Sequence, residues 1–263
     1  MDATLTELNV YPLKSGGGTA VQHAELTPAG LRWDREFMLV NPEGRYLSQR
    51  QVPRLALLRP EFDGDVLTVG LSTASAAEPL VHKATMDGPV CDVNVHSTMC
   101  LGVDQGDEAA AWLSAAIRRD CRLVRFTGHR ASSRGDEIHY ADGHPLLVIS
   151  VESLEDLNSR LDEPLPMNRF RPNLVVQGLG RYGEDTVRRL RVGPAEIEMV
   201  KPSTRCVITT TDQETAVRGR EPLRTLALYR KVDRGIVFGY NAAPRSLGTL
   251  TVGDPVEILE RAM

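Results

Sequence analysis

Cysteine is scarce in this 263-residue chain. The four present, Cys91, Cys100, Cys121 and Cys206, include no Cys-x-x-Cys pair, which excludes a disulfide framework and the common zinc ribbons. Aromatic residues make up only 5%, and lysine is rarer still: Lys14, Lys83, Lys201 and Lys231 stand against 27 arginines. No apolar run approaches the roughly 20 residues that a membrane-spanning helix needs. The first residues carry neither a basic segment nor an apolar stretch, so a cytoplasmic location with no membrane partner is expected. Basic charge is not in excess either. The net charge is −4, with 11 basic and 16 acidic groups in residues 1–122 and 20 and 19 in residues 123–263, which gives no support to a nucleic-acid partner. The arginine bias fits a GC-rich genome and, where individual arginines gather, the recognition of anions by a planar fork.

What remains is an ordinary globular composition, 41% hydrophobic with 22 glycines and 16 prolines. Short alternating runs separated by Gly, Pro, Asn and Asp dominate: Thr4 to Val10, Glu36 to Asn41, Val66 to Val69, Val90 to Val95 and Ala195 to Val200. Only three helices are expected. They are Asp107 to Arg119, with acidic residues first and arginines last; Val151 to Leu161, capped by Ser150; and Leu223 to Lys231, opened by Pro222. Three helices among a dozen strand-like runs predict a β-rich α+β protein with one or two partly closed barrels. Arg125 to Gly143, rich in Arg, Ser, Gly and Asp, reads as a junction or mobile loop between two parts, residues 1–124 and 125–263.

Several motifs invite chemistry. Gly178, Gly180 and Gly183 spell Gly-x-Gly-x-x-Gly, but Gly193-Pro194 follows too soon for a crossover helix, and Thr186 to Val192 alternates as a strand, so a glycine-rich hairpin loop is expected. Cys91, His96, Cys100 and Cys121 match no common zinc spacing. His139, Asp142 and His144 with Cys206 offer a Cys/His/Asp hydrolase constellation, although no Gly-x-Ser-x-Gly elbow is present. Cys206 stands apart from the other cysteines because Lys201 and Arg205 flank it at the end of a strand, where cations favour a thiolate. It reads equally as a nucleophile, a soft-metal ligand or an inert buried thiol.

Seven motifs, in order, bear on that choice. They are Tyr11-Pro-Leu-Lys14-Ser15, Gly30-Leu-Arg-Trp-Asp-Arg35, Gln49-Arg50-Gln51 with Pro53-Arg54-Leu55, Phe170-Arg171-Pro172-Asn173, Arg205-Cys206 with Thr209-Thr210 and Asp212, Phe238-Gly239 with Asn241, and Gly248 to Asp254. From about Leu5 to Leu259 the sequence resembles the MOSC (molybdenum cofactor sulfurase C-terminal) family with its MOSC N-terminal domain, a group that includes mitochondrial amidoxime-reducing components and bacterial relatives acting on N-hydroxylated bases. The resemblance implies a β-barrel-like N-terminal MOSC N domain followed by a C-terminal MOSC β-barrel with a few helices.

It also implies a molybdenum cofactor, with Cys206 as the metal ligand. Lys14, Ser15, Arg35, Arg171, Asn173 and Thr204 would hold the pterin and its phosphate, joined by Arg205 and His144, while Asp142 would stand beside the metal as a proton-handling group. Arginine forks, a lysine charge, an amide and hydroxyls suit such a ligand. The activity implied is reduction of small N-hydroxylated molecules with electrons from a separate flavoprotein, ferredoxin or cytochrome, since four cysteines are too few for an iron–sulfur cluster plus Cys206. A carrier that holds a persulfide on Cys206 is the alternative. Three departures from the family pattern stand out. Gly143-His144 replaces Thr-Ser, Ser203 replaces a second cysteine, and Gly16-Gly17-Gly18 replaces a bulkier run.

Overall fold

The computed structural model describes residues 2–72, 78–96 and 98–262. Its larger core lies inside a closed seven-stranded barrel. Around the barrel the order is Leu146–Ser150, Leu174–Gln177, Ala3–Val10, Pro255–Arg261, Val187–Val192, Ala195–Thr204 and Gly235–Pro244, which returns to Leu146–Ser150. One pairing, Leu146–Ser150 with Leu174–Gln177, is parallel and the other six are antiparallel.

Side-chain alternation explains these strands. In Val187–Val192 the residues Val187, Leu190 and Val192 point into the barrel, while Arg188, Arg189 and Arg191 lie outside against Glu196, Glu257 and Glu260. Leu146–Ser150 is buried on both faces: Leu146 and Val148 enter the barrel core, and Leu147 and Ile149 pack with Leu157, Phe170, Leu226 and Phe238. A strand covered on both sides reads as a continuous apolar run rather than an alternating one.

The rest of the N-terminal half forms smaller sheets. Phe37–Val40, Arg122–Thr127, Thr98–Asp104 and Val90–Val95 make a four-stranded sheet, and Leu58–Phe62, Val66–Leu71 and Leu80–Lys83 make a three-stranded one. Helix Asp107–Ile117 packs Ala109, Leu113 and Ile117 into the core they share. The first strand of the chain joins the barrel, and His23–Thr27 pairs with Gly248–Thr251. Strand Arg122–Thr127 runs across the expected division at residues 124 and 125.

All three expected helices are present, and all are shorter than the periodicity suggested. The first stops at Ile117 because Arg118 turns into the left-handed region. The second, Val151–Asn158, has the Ser150 hydroxyl accepting from Ser153 N at 3.2 Å. The third is a single turn, Leu223–Leu226. The glycine motif at 178–183 leads into a short 3₁₀ turn, Gly183–Thr186, and then a strand, with no crossover helix.

Candidate functional site

Between the barrel and the N-terminal sheets lies a cleft of about 390 Å³. All ten residues that the resemblance nominated line it, although they come from positions 14 to 206 of the chain. The segment after the first strand runs alongside residues 35–37, with Arg35 N donating to Tyr11 O and Lys14 N donating to Phe37 O, both at 2.8 Å. Gly30 lets this part close on the barrel, since its φ is +106° and a Cβ there would lie 2.6 Å from Pro145 O. Ser15, Arg35 and Arg171, three of the ten, adopt left-handed backbone conformations with φ between 53° and 65°. Such conformations cost non-glycine residues about 1–3 kcal/mol each, and they concentrate where a site requires them.

Arg35 and Arg171 lie with their guanidinium carbons each 4.4 Å from the centroid of the Tyr11 ring. Arg35 pairs with the buried carboxylate of Asp34, and Arg171 donates to Gly16 O. Asn173 lines the cleft, yet its side chain is used by the protein. The amide donates to Asn9 O and to Asp34 Oδ1, each at 3.2 Å, and the carbonyl accepts from Leu147 N at 3.2 Å. Its effect on the cleft therefore passes through Asp34 to Arg35.

Cys206 sits where the Ala195–Thr204 strand ends, at the start of the 3₁₀ turn Val207–Thr210, and is half-buried. Arg205 lines the same cleft, its guanidinium donating to Phe170 O at 2.6 Å and to Ser203 Oγ at 2.9 Å. Arg50 faces the Cys206 sulfur. Burial works against its charge, but Cys206 and Asp142 outweigh this and raise its pKa. The Arg50 segment is anchored by paired amides, Gln49 Nε2 donating to Gln213 Oε1 at 3.0 Å and Gln213 Nε2 returning to Gln49 Oε1 at 3.1 Å.

Lys14 is almost fully enclosed; its ammonium donates to Tyr140 O at 2.7 Å and pairs with the Asp142 carboxylate. Burial lowers the Lys14 pKa. Burial opposes ionisation of Asp142 as well, but the Lys14 charge and the His96 hydrogen bond prevail and hold its carboxyl well below the usual range. His139 does not join Cys206. It stacks on Phe126 and faces Glu36 at 3.3 Å, so the Cys/His/Asp constellation is not assembled around it. The other cysteines are dispersed, Cys91 donating to Gly102 O and Cys121 packing beside Ser114.

The residues that sequence reasoning gave no role are Arg50, Asn241 and Thr209, which line the cleft, and His96, which touches Asp142; Lys201, read as a cation flanking Cys206, lines the cleft too. Arg50, Asn241 and Thr209 lie within the quoted motifs, so the signal was present without a role attached. Six cationic side chains line the cleft, Lys14, Arg35, Arg50, Arg171, Lys201 and Arg205, against one carboxylate, Asp142. Burial pushes both Arg171 and Arg205 down to about 10. Arg205 Nε and both ring nitrogens of His144 are buried with no hydrogen-bond partner among the described residues. Cations short of counter-charge and unpaired polar atoms suit a ligand that is anionic and rich in heteroatoms, as a phosphorylated pterin is.

Among the described residues, no helix is long and apolar enough to cross a membrane. Residues 2–120 match the MOSC N-terminal beta barrel domain and residues 135–257 match the MOSC domain. The chain is 38% identical to mitochondrial amidoxime-reducing component 1 of Mus musculus, over 97% of this chain and 82% of the relative. It is 37% identical to the Homo sapiens protein of the same name, over 97% and 83%. Mitochondrial amidoxime reducing component 2 of Bos taurus is 34% identical over 96% and 82%. On these matches, with a closed barrel and a cationic cleft around Cys206, the chain belongs to the MOSC family and carries its N-terminal beta barrel domain and MOSC domain in tandem.

Proposed function

We propose that this protein is a molybdenum cofactor-dependent oxidoreductase that reduces small N-hydroxylated molecules, amidoximes among them, with electrons from a separate donor protein. One observation carries the reading: a half-buried thiol, Cys206, opens into a cleft lined by six cations and one carboxylate, in a chain whose relatives are amidoxime-reducing components. The cofactor, when bound, supplies the two-electron chemistry that removes oxygen from nitrogen.

The chain's own residues do the rest. Cys206 would offer its sulfur to the metal, with Arg50 in the same cleft lining to balance the charge of the group. Arg35 and Arg171, held by Asp34, Gly16 O and the Tyr11 ring, present forks for the phosphate end, with Ser15, Thr204 and Arg205 along the wall. His144 stays neutral at physiological pH, since burial and then Lys201 push its pKa down to about 4; it offers one donor and one acceptor to a ligand edge. Asp142 stays ionised and stands between the buried Lys14 and the cleft, where it orients substrate and accepts or passes a proton.

Elemental analysis of the purified protein tests the reading. One molybdenum per chain, with amidoxime reduction sustained by an artificial one-electron donor, is the expected result. Absence of molybdenum together with an extra sulfur atom on Cys206 would replace this reading with that of a persulfide carrier.

A further inference from the structure

His96 lies at the tip of the hairpin formed by Val90–Val95 and Thr98–Asp104, 46 residues from Asp142 in sequence. Its φ is +57°, in the left-handed region. Nε2 lies 3.2 Å from Asp142 Oδ1, and Nδ1 lies 2.9 Å from Tyr46 Oη. Tyr46 Oη in turn accepts from Arg50 at 3.4 Å, and Arg50 faces Cys206. Arg50, whose guanidinium also lies 4.0 Å from Asp142 Oδ2, thus joins Tyr46 and His96 in a ring of polar groups around Asp142. A second cavity, of about 570 Å³, lies on the other side of His96 and Tyr46, lined also by Glu43, Asp92, Asn94 and Met99. Both partners meet solvent, the imidazole 38% exposed and the Asp142 carboxylate 54%.

We infer that His96 is a positioning residue for Asp142 and a proton carrier to it. The inference rests on the N-reductive reading above. Converting N–OH to N–H consumes two electrons and two protons and releases water; the electrons come from the one-electron donor. His96 Nε2 passes a proton to the Asp142 carboxylate and recovers one from water, and this happens twice per turnover: Asp142 delivers one proton to the departing hydroxyl oxygen, which leaves as water, and the second to the nitrogen, which becomes N–H. Lys14 and His96 both contact Asp142 Oδ1, which fixes the orientation of the carboxylate.

The test uses cofactor-loaded protein, an aromatic amidoxime as substrate and dithionite-reduced viologen as donor. His96→Ala is expected to keep its molybdenum and its KM while kcat falls about 10²-fold, with added imidazole restoring turnover. Tyr46→Phe, which leaves the Asp142 contact intact, is expected to lose less. In cofactor-free protein the His96 ring nitrogens are expected to shift by NMR when Asp142→Asn is introduced. A wild-type kcat in His96→Ala, a loss that imidazole leaves in place, or ring nitrogens indifferent to Asp142→Asn overturns the relay while leaving the N-reductive reading intact. Loaded wild-type protein that leaves the amidoxime untouched defeats the functional reading and the relay with it.

Discussion

The side-chain amide of Asn173 donates to the carboxylate of Asp34 at 3.2 Å, joining a turn of the C-terminal half to the turn that carries Arg35. Both groups are buried, and Asp34 also accepts from Tyr11 N at 2.9 Å. Asn173→Ala removes bonds to Asn9 O, Asp34 and Leu147 N together, and is expected to cost about 2–3 kcal/mol, because a buried carboxylate loses a donor. Thermal unfolding of the cofactor-free protein measures this. Asn173→Asp should be worse, since it sets two carboxylates against each other. An unchanged midpoint in both variants would show that the link carries no load.

Cys206→Ser is expected to leave the fold intact, because the side chain is half-buried and the substitution is nearly isosteric. Molybdenum content should fall to background and amidoxime reduction should vanish, while the unfolding midpoint of the cofactor-free form stays put. A serine variant that retained metal and activity would remove Cys206 from the mechanism.

His144 makes stability depend on pH. Burial lowers its pKa from 6.5 to about 4, with Lys201 adding to the shift and Asp136 opposing it. Between these values the unfolded chain binds a proton that the folded chain does not, so stability is full above pH 6.5 and declines as pH falls towards 4. At roughly 1.4 kcal/mol per pKa unit, the loss is about 3.5 kcal/mol at most. Denaturant unfolding at a series of pH values should show this decline, and His144→Gln should flatten that part of the curve.

Inorganic phosphate should stabilise the cofactor-free protein through the cationic wall. At ten times its dissociation constant the gain is about 1.4 kcal/mol. The gain should exceed that from chloride at equal ionic strength and should fall in Arg171→Met, because burial already disfavours that charge and an anion relieves it. Equal effects of the two salts would assign the stabilisation to screening alone.

Much of the molecule was legible in order along the chain. Val90–Val95 forms over the residues its alternation marked, and the Gly178–Gly183 segment leads into a hairpin strand because Gly193-Pro194 leaves no room for a crossover helix. Helix lengths were overestimated. Periodicity reports which residues could share a face, whereas the end of a helix is set by local backbone, as at Arg118, and by competing pairs such as Lys231–Val232 with Gly235–Ile236.

The sequence by itself determined the β-rich class, the family and the nomination of Cys206, because these rest on residue types at fixed spacing along the chain. Tertiary structure alone decided that the first strand closes the barrel made by the second half, since strand pairing at this separation depends on which edges are left open. It alone turned the Asn173 side chain towards Asp34, His139 towards Glu36 and Arg50 towards Cys206. It also brought His96 against Asp142, across 46 residues and through a left-handed turn. A motif carries a residue's chemistry, but the direction its side chain faces is settled by the packing of elements that are remote in sequence.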